Sequence, residues 1–119
     1  MIRLTPRRVA AIYDCLKKFH PFDKWKLPPS CEVEFRATKA RGKSGDFTRD
    51  LGAPLDSHRI MVSNVHNRHF ITLVQTVAHE MCHQSQDIAG TRTGTEHNAD
   101  FMARAKVICD TFGWDSGQF

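Results

Sequence analysis

Residues 69–90 read HFITLVQTVAHEMCHQSQDIAG. Phe70, Leu73, Val74, Val77, Met81 and Ile88 recur at helical spacing and Gly90 is a natural stop, so the stretch predicts a long helix from about His69 to Ala89. Inside it stands His79-Glu80-Met81-Cys82-His83, an H-E-x-x-H pattern. Side chains four apart on a helix share a face, so the imidazoles of His79 and His83 can converge on one cation. Zinc accepts neutral imidazole nitrogen; its catalytic sites use three protein ligands and leave a position for water. Glu80 is turned about 100° from His79 around the helix axis. There its carboxylate addresses the metal-bound water as a general base rather than the metal. With seven histidines and four glutamates in 119 residues, a chance match is on the order of one in a hundred. The competing explanation is two surface histidines on an amphipathic helix. Met81 and Cys82 read as packing residues.

A third ligand must come from elsewhere, because Gln86 and Ala89 stand where H-E-x-x-H-x-x-G-x-x-H needs Gly and His. A last helix is predicted from about Glu96 to Phe112, with Thr95 as its cap and Gly113 ending it. Phe101, Ala105, Ile108 and Phe112 form its inward stripe, and His97 continues that stripe towards the preceding helix. Glu96 and Asp100 lie on the adjacent face. His97 is therefore the geometric favourite, Glu96 its rival, and Asp100 a candidate acceptor for the outer ring N–H of a ligand.

The rest of the chain is shorter in signal. Pro6 to about Phe19 predicts a helix capped by Thr5, and Pro21, Pro28 and Pro29 break the connector that follows. Cys31–Thr38, Asp46–Asp50 and Arg59–Val65 predict three strands, the second closing at Gly52-Ala53-Pro54. A length of 119 residues suits one domain, and 40% hydrophobic with 25% charged residues is ordinary globular usage. No apolar run approaches the ~18–20 residues of a membrane span, and residues 1–18 lack the apolar core of a secretory signal. Cys15, Cys31, Cys82 and Cys109 form no C-x-x-C pair, which argues against a Cys-based zinc ribbon and for reduced thiols in a cytosolic protein.

Charge is uneven. Residues 1–60 carry 13 Lys/Arg against 7 Asp/Glu, whereas residues 61–119 carry 4 against 6. Lys39, Arg41 and Lys43, with Trp25 between Lys24 and Lys26, are candidate nucleic-acid contacts. The cations would meet phosphates, and the indole would stack on unpaired bases, favouring single strands over duplex. The plainer reading is a solvated turn and a half-buried tryptophan. His20, His58, His66 and His69 are weaker signals.

Thr72-Leu73-Val74-Gln75-Thr76-Val77-Ala78 leads into HEMCH, and a polar loop leads on to His97-Asn98-Ala99-Asp100-Phe101. With Gly45-Asp46-Phe47 and the strand carrying Ile60, Val62 and Ser63, this resembles the SprT-like metalloprotease family, which includes the Spartan proteases. The resemblance spans residues 1–115. It implies a zincin-like α+β fold, with a small three-stranded sheet on an active-site helix between an N-terminal and a C-terminal helix. It implies one zinc held by His79, His83 and His97, with Glu80 as general base of a peptidase. It also implies a protein substrate, in the best-known members one bound or crosslinked to DNA; the sequence departs from many members in showing no zinc ribbon, and reads as a single stand-alone domain over residues 1–119. The family's third-ligand segment reads H-G-x-x-F; Asn98 departs from its glycine, which a last helix already begun there would tolerate. The alternative is a DNA-binding accessory protein with structural zinc or vestigial catalysis. Glu80 speaks against it, since a structural site has no use for a general base.

Overall fold

Thr5 Oγ1 accepts from Arg8 N at 3.2 Å, and Pro6 opens helix α1, Pro6–Leu16. The computed structural model describes residues 3–50 and 57–119. Helix α1 stops a turn short of Phe19, with Lys18 and Phe19 amides bonding three residues back to Cys15 and Leu16. The tightened turn leads into His20-Pro21, where the proline disfavours helix in the residue before it. Val9, Tyr13 and Leu16 bury the inner face of α1, and Tyr13 donates its hydroxyl to Pro28 O at 2.7 Å.

The sheet comprises β1, Val33–Thr38, β2, Gly45–Asp50, and β3, Ser57–Ser63. Their order is β1-β3-β2, with β1 parallel and β2 antiparallel to β3. β1 starts later than the alternation suggests because Ser30–Glu32 form a 3-10 turn after Pro29, leaving Cys31 exposed. β3 ends at Ser63 rather than Val65, where Val65 N turns back to Ser63 Oγ at 3.2 Å. The predicted close of the second strand at Gly52-Ala53-Pro54 lies outside the described residues.

One sheet face carries Glu34 with Arg36 and Arg59 as exposed ion pairs. The other carries the core, and the register arranges it in rows: Val33, His58, Arg49; Phe35, Ile60, Phe47; Ala37, Val62, Gly45. Helix α2, Phe70–Ala89, lies across β2 and β3, while α1 packs on β1 and α2. The last row is the smallest, and α2 comes close to β2 there, at Gly45. Arg49, at the far end of β2, donates to Asp87 O at 3.0 Å in the last turn of α2. Gly90, at φ +76°, caps α2 in the left-handed region that favours glycine. Helix α3, Ala99–Phe112, then packs against α2, burying Phe101, Ala105 and Ile108.

A buried amide ties these parts together. Asn67 is 1% exposed; its Nδ2 donates to Ser63 O at 2.6 Å and Ser44 O at 2.9 Å, and its Oδ1 accepts from Thr76 Oγ1 at 2.6 Å. The exit of β3, the entry of β2 and the middle of α2 thus share one side chain. Among the described residues no helix is long and apolar enough to cross a membrane.

The packing makes a prediction about the thiols. Cys15 and Cys31 are exposed, whereas Cys82 and Cys109 are buried. Burial pushes the Cys82 thiol up to about 12 and raises Cys109 as well. Ellman's reagent should titrate two thiols in the native protein and four in denaturant; fast reaction of a third without denaturant would contradict the burial of Cys82 and Cys109.

Candidate metal centre

Helix α2 buries Thr76, Val77 and Ala78 and then Glu80 through Gln86, so the H-E-x-x-H segment crosses the core rather than the surface. His83 is buried, His79 half-buried and His97 exposed, and one ligand atom from each lies within 4.8 Å of the others. His79 Nε2 and His97 Nε2 are 3.1 Å apart. The three histidines are close enough to bind a metal ion.

His97 is not placed by a helical stripe, as its spacing suggests. Helix α3 begins at Ala99, and the residue that caps it is Asn98, not Thr95. Asn98 Oδ1 accepts from Phe101 N at 2.9 Å, and its Nδ2 donates to Thr91 O and Thr93 O at 2.9 and 2.8 Å. The glycine position is therefore filled by a cap that also folds the preceding loop. His97, the residue before it, is held by rings. It stacks on Phe101 with centroids 4.4 Å apart and lies parallel to His83 at 5.2 Å.

The outer-shell assignment also changes. Asp100 bonds none of the three histidines. Its Oδ2 accepts from Thr91 at 2.7 Å, Arg104 at 2.8 Å and Gln86 at 3.0 Å, fixing the loop to both helices. The acceptor for His79 is instead Phe119 O, 2.9 Å from Nδ1. A carbonyl only accepts, so Nδ1 carries the proton and the Nε2 lone pair faces the cluster. His83 Nδ1 is buried with no partner among the described residues. Glu96 lies in the loop, its carboxylate bonded to Arg92 at 2.9 Å and 3.8 Å from His83 Nε2.

Burial sets the charge states. It lowers His79 below the usual imidazole range, and it pushes His83 down to about 4, helped by the neighbouring His79 and Arg92. Both imidazoles are thus neutral at pH 7, the form that ligates metals. Imidazole nitrogens converging from two segments, α2 and the loop before α3, make a donor set whose chemistry fits zinc. Glu80, 5% exposed, accepts no hydrogen bond from a described residue, and burial together with nearby Asp46 pushes its carboxyl up to about 8. It lines the same cleft as His79, His83 and His97, with Lys43, Ser44 and Phe119 at the walls.

Gly45 makes room for Glu80. A Cβ there would lie 2.7 Å from Thr76 Cγ2, 2.9 Å from Glu80 Oε2 and 3.2 Å from Met61 O. Gly45, Asn98 and Phe119 also belong to the site, beyond the residues that the H-E-x-x-H pattern marks. Asn98 had a signal in its capping propensity before Phe101; Gly45 and Phe119 act through space and had none.

The candidate nucleic-acid residues do not form one contact cluster. Lys39, Arg41 and Lys43 are exposed on the turn between β1 and β2, where Lys43 pairs with Asp46 at 3.1 Å and His66 Nε2 donates to Arg41 O at 2.7 Å. Trp25 is half-buried elsewhere, with its edge on Phe22 and the Arg104 guanidinium 5.3 Å from its ring centre. His58 is buried against Phe47 and Gln84, outside the cleft, while His20 and His69 are exposed.

Gly45→Ala should cost about 1–3 kcal/mol, the usual price of overpacking, in urea unfolding of the chelator-treated protein. Gly42→Ala, where a Cβ meets nothing within 4 Å, should stay within about 0.5 kcal/mol. Equal midpoints for the two variants would contradict the close approach at Gly45.

No family model, characterised protein or solved structure matches the chain, so the geometry above carries the functional argument.

Proposed function

We propose that the chain is a zinc-dependent endopeptidase of the SprT-like type, with a zincin-like fold and with His79, His83 and His97 as the ligands. The observation that carries this reading is the position of Glu80. A carboxylate without a hydrogen-bonded partner among the described residues is buried in the wall of the cleft that the three imidazoles line. Burying such a group is costly and gives a structural site nothing in return, which disfavours the accessory-protein alternative.

When bound, zinc supplies a Lewis acid that polarises a carbonyl and acidifies water in its open position. The chain's own residues do the rest. Phe119 O holds His79 with Nδ1 protonated, and Phe101 supports the His97 ring from below. Burial alone favours the protonated form of Glu80; beside a bound cation Glu80 would ionise, and its carboxylate oxygen would then take the proton of the attacking water and deliver it to the amine that leaves. Gly45 and Asn67 keep β2 against α2, so that Glu80 is held at the cleft rather than swinging into solvent. Lys39 and Arg41 share a turn with Lys43, which lines the cleft, so an anionic polymer bound there would bring its attached proteins to the site.

Purified protein should contain one zinc, lost on His97→Ala and retained on Glu96→Ala. Loss in the second variant alone would make Glu96 the ligand. Glu80→Gln should keep the metal while cleavage of casein or histone falls roughly 10²–10⁴-fold; wild-type turnover would remove Glu80 from the mechanism.

Binding to single-stranded DNA should weaken steeply with salt and with Lys39→Glu plus Lys43→Glu, leaving zinc content unchanged. Trp25, engaged by Arg104, should contribute less than these cations. Absence of binding at low salt would reduce the basic turn to a solubilising feature.

A further inference from the structure

Glu96 immediately precedes His97, and its Oε1 lies 3.8 Å from His83 Nε2. Two atoms bound to one tetrahedral zinc at 2.0–2.1 Å are roughly 3.3 Å apart, so this oxygen is already close to ligand spacing. Packing does not restrain it, since the Glu96 side chain is 63% exposed. The restraint is Arg92, whose Nη2 donates to Glu96 Oε1 at 2.9 Å. Arg92 is itself anchored to regular structure. Its Nη1 donates to Asp87 Oδ2 at 2.8 Å on α2 and to Phe47 O at 3.2 Å on β2, and its guanidinium lies 5.6 Å from the Phe47 ring centre. The arginine thus belongs to the scaffold, and the glutamate to the loop.

We propose that Arg92 is a positioning residue that holds the Glu96 carboxylate off the three-histidine centre and so keeps one ligand position open. The inference rests on the reading of His79, His83 and His97 as a metal centre. Carboxylate oxygen is a competent zinc ligand, so Glu96 released from Arg92 becomes a fourth protein ligand. A centre closed by four side chains holds metal but has no position for an exchangeable ligand. Exposed ion pairs add little stability; here the pair acts by tying Glu96 Oε1 to an arginine that Asp87 and Phe47 already hold.

The test uses the full-length, cobalt-substituted protein titrated with azide, read from the cobalt absorption bands, with zinc affinity measured by competition against a chelator. Wild type should bind azide. Arg92→Gln should bind it about tenfold more weakly and hold zinc about tenfold more tightly, the scale of outer-shell effects on metal sites. Arg92→Gln combined with Glu96→Ala should restore azide binding. If Arg92→Gln does not fold, Asp87→Ala, which removes one anchor, should shift azide affinity in the same direction by less. Wild-type azide binding in Arg92→Gln, or failure of the double variant to recover, overturns the proposal. A wild type that takes up cobalt but no azide also overturns it. Failure of the wild type to bind cobalt instead sinks the metal centre itself, and the inference with it.

Discussion

The cleft depends on the hydrogen atom that Gly45 carries in place of a side chain. Because the row Ala37, Val62, Gly45 is small, α2 can settle against the sheet with Thr76 and Glu80 in contact with β2. Asn67 secures that approach from one end, through the carbonyls of Ser44 and Ser63 and the hydroxyl of Thr76. Arg49 secures it from the other, at Asp87 O. With α2 tethered at its middle and in its last turn, its buried face presents Glu80 to the cleft and His79 and His83 to the loop before α3.

The same low-polarity surroundings act in opposite senses on the acid and the bases. Burial favours whichever form is uncharged, so it raises Glu80 and lowers His79 and His83. The cluster therefore gathers donors without gathering charge. Charge stands at its margin, where Lys43 meets Asp46 and Arg92 meets Asp87 and Glu96. This division sets the uncharged imidazoles of His79 and His83 inside a rim of ion pairs.

Much of this was legible wherever the determining contacts are local. The span of α2, the shared face of His79 and His83, and the capping of α1 by Thr5 follow from spacing within one helix. The three strands and their order along the chain were also readable, with ends shifted by turns at Pro29 and Ser63. The start of α3 was not, because Thr95 and Asn98 are both good caps and the choice falls to tertiary partners: Gln86 Nε2 reaches Asn98 Oδ1 at 2.9 Å. That shift removes His97 from the helix and takes Asp100 away from the ligands. The roles of Gly45 and Phe119 arise from elements distant in sequence, and no pattern in their own neighbourhoods announces them; Arg92 has its carboxylate partners close by in Asp87 and Glu96, but its anchor at Phe47 O is distant.

His79 and His97 are only 18 residues apart, and both belong to one helix–loop–helix hairpin. Contacts of such short range form early on a folding landscape, since little loop entropy opposes them. Glu80, by contrast, is enclosed only when Gly45 arrives on a strand from the other half of the chain. Gathering the histidines is thus a local product of the chain, whereas burying the acid is a long-range one. The donor set and the shield around the carboxylate beside it rest on different parts of the sequence, so a change that loosens the sheet can expose the acid while the imidazoles stay together.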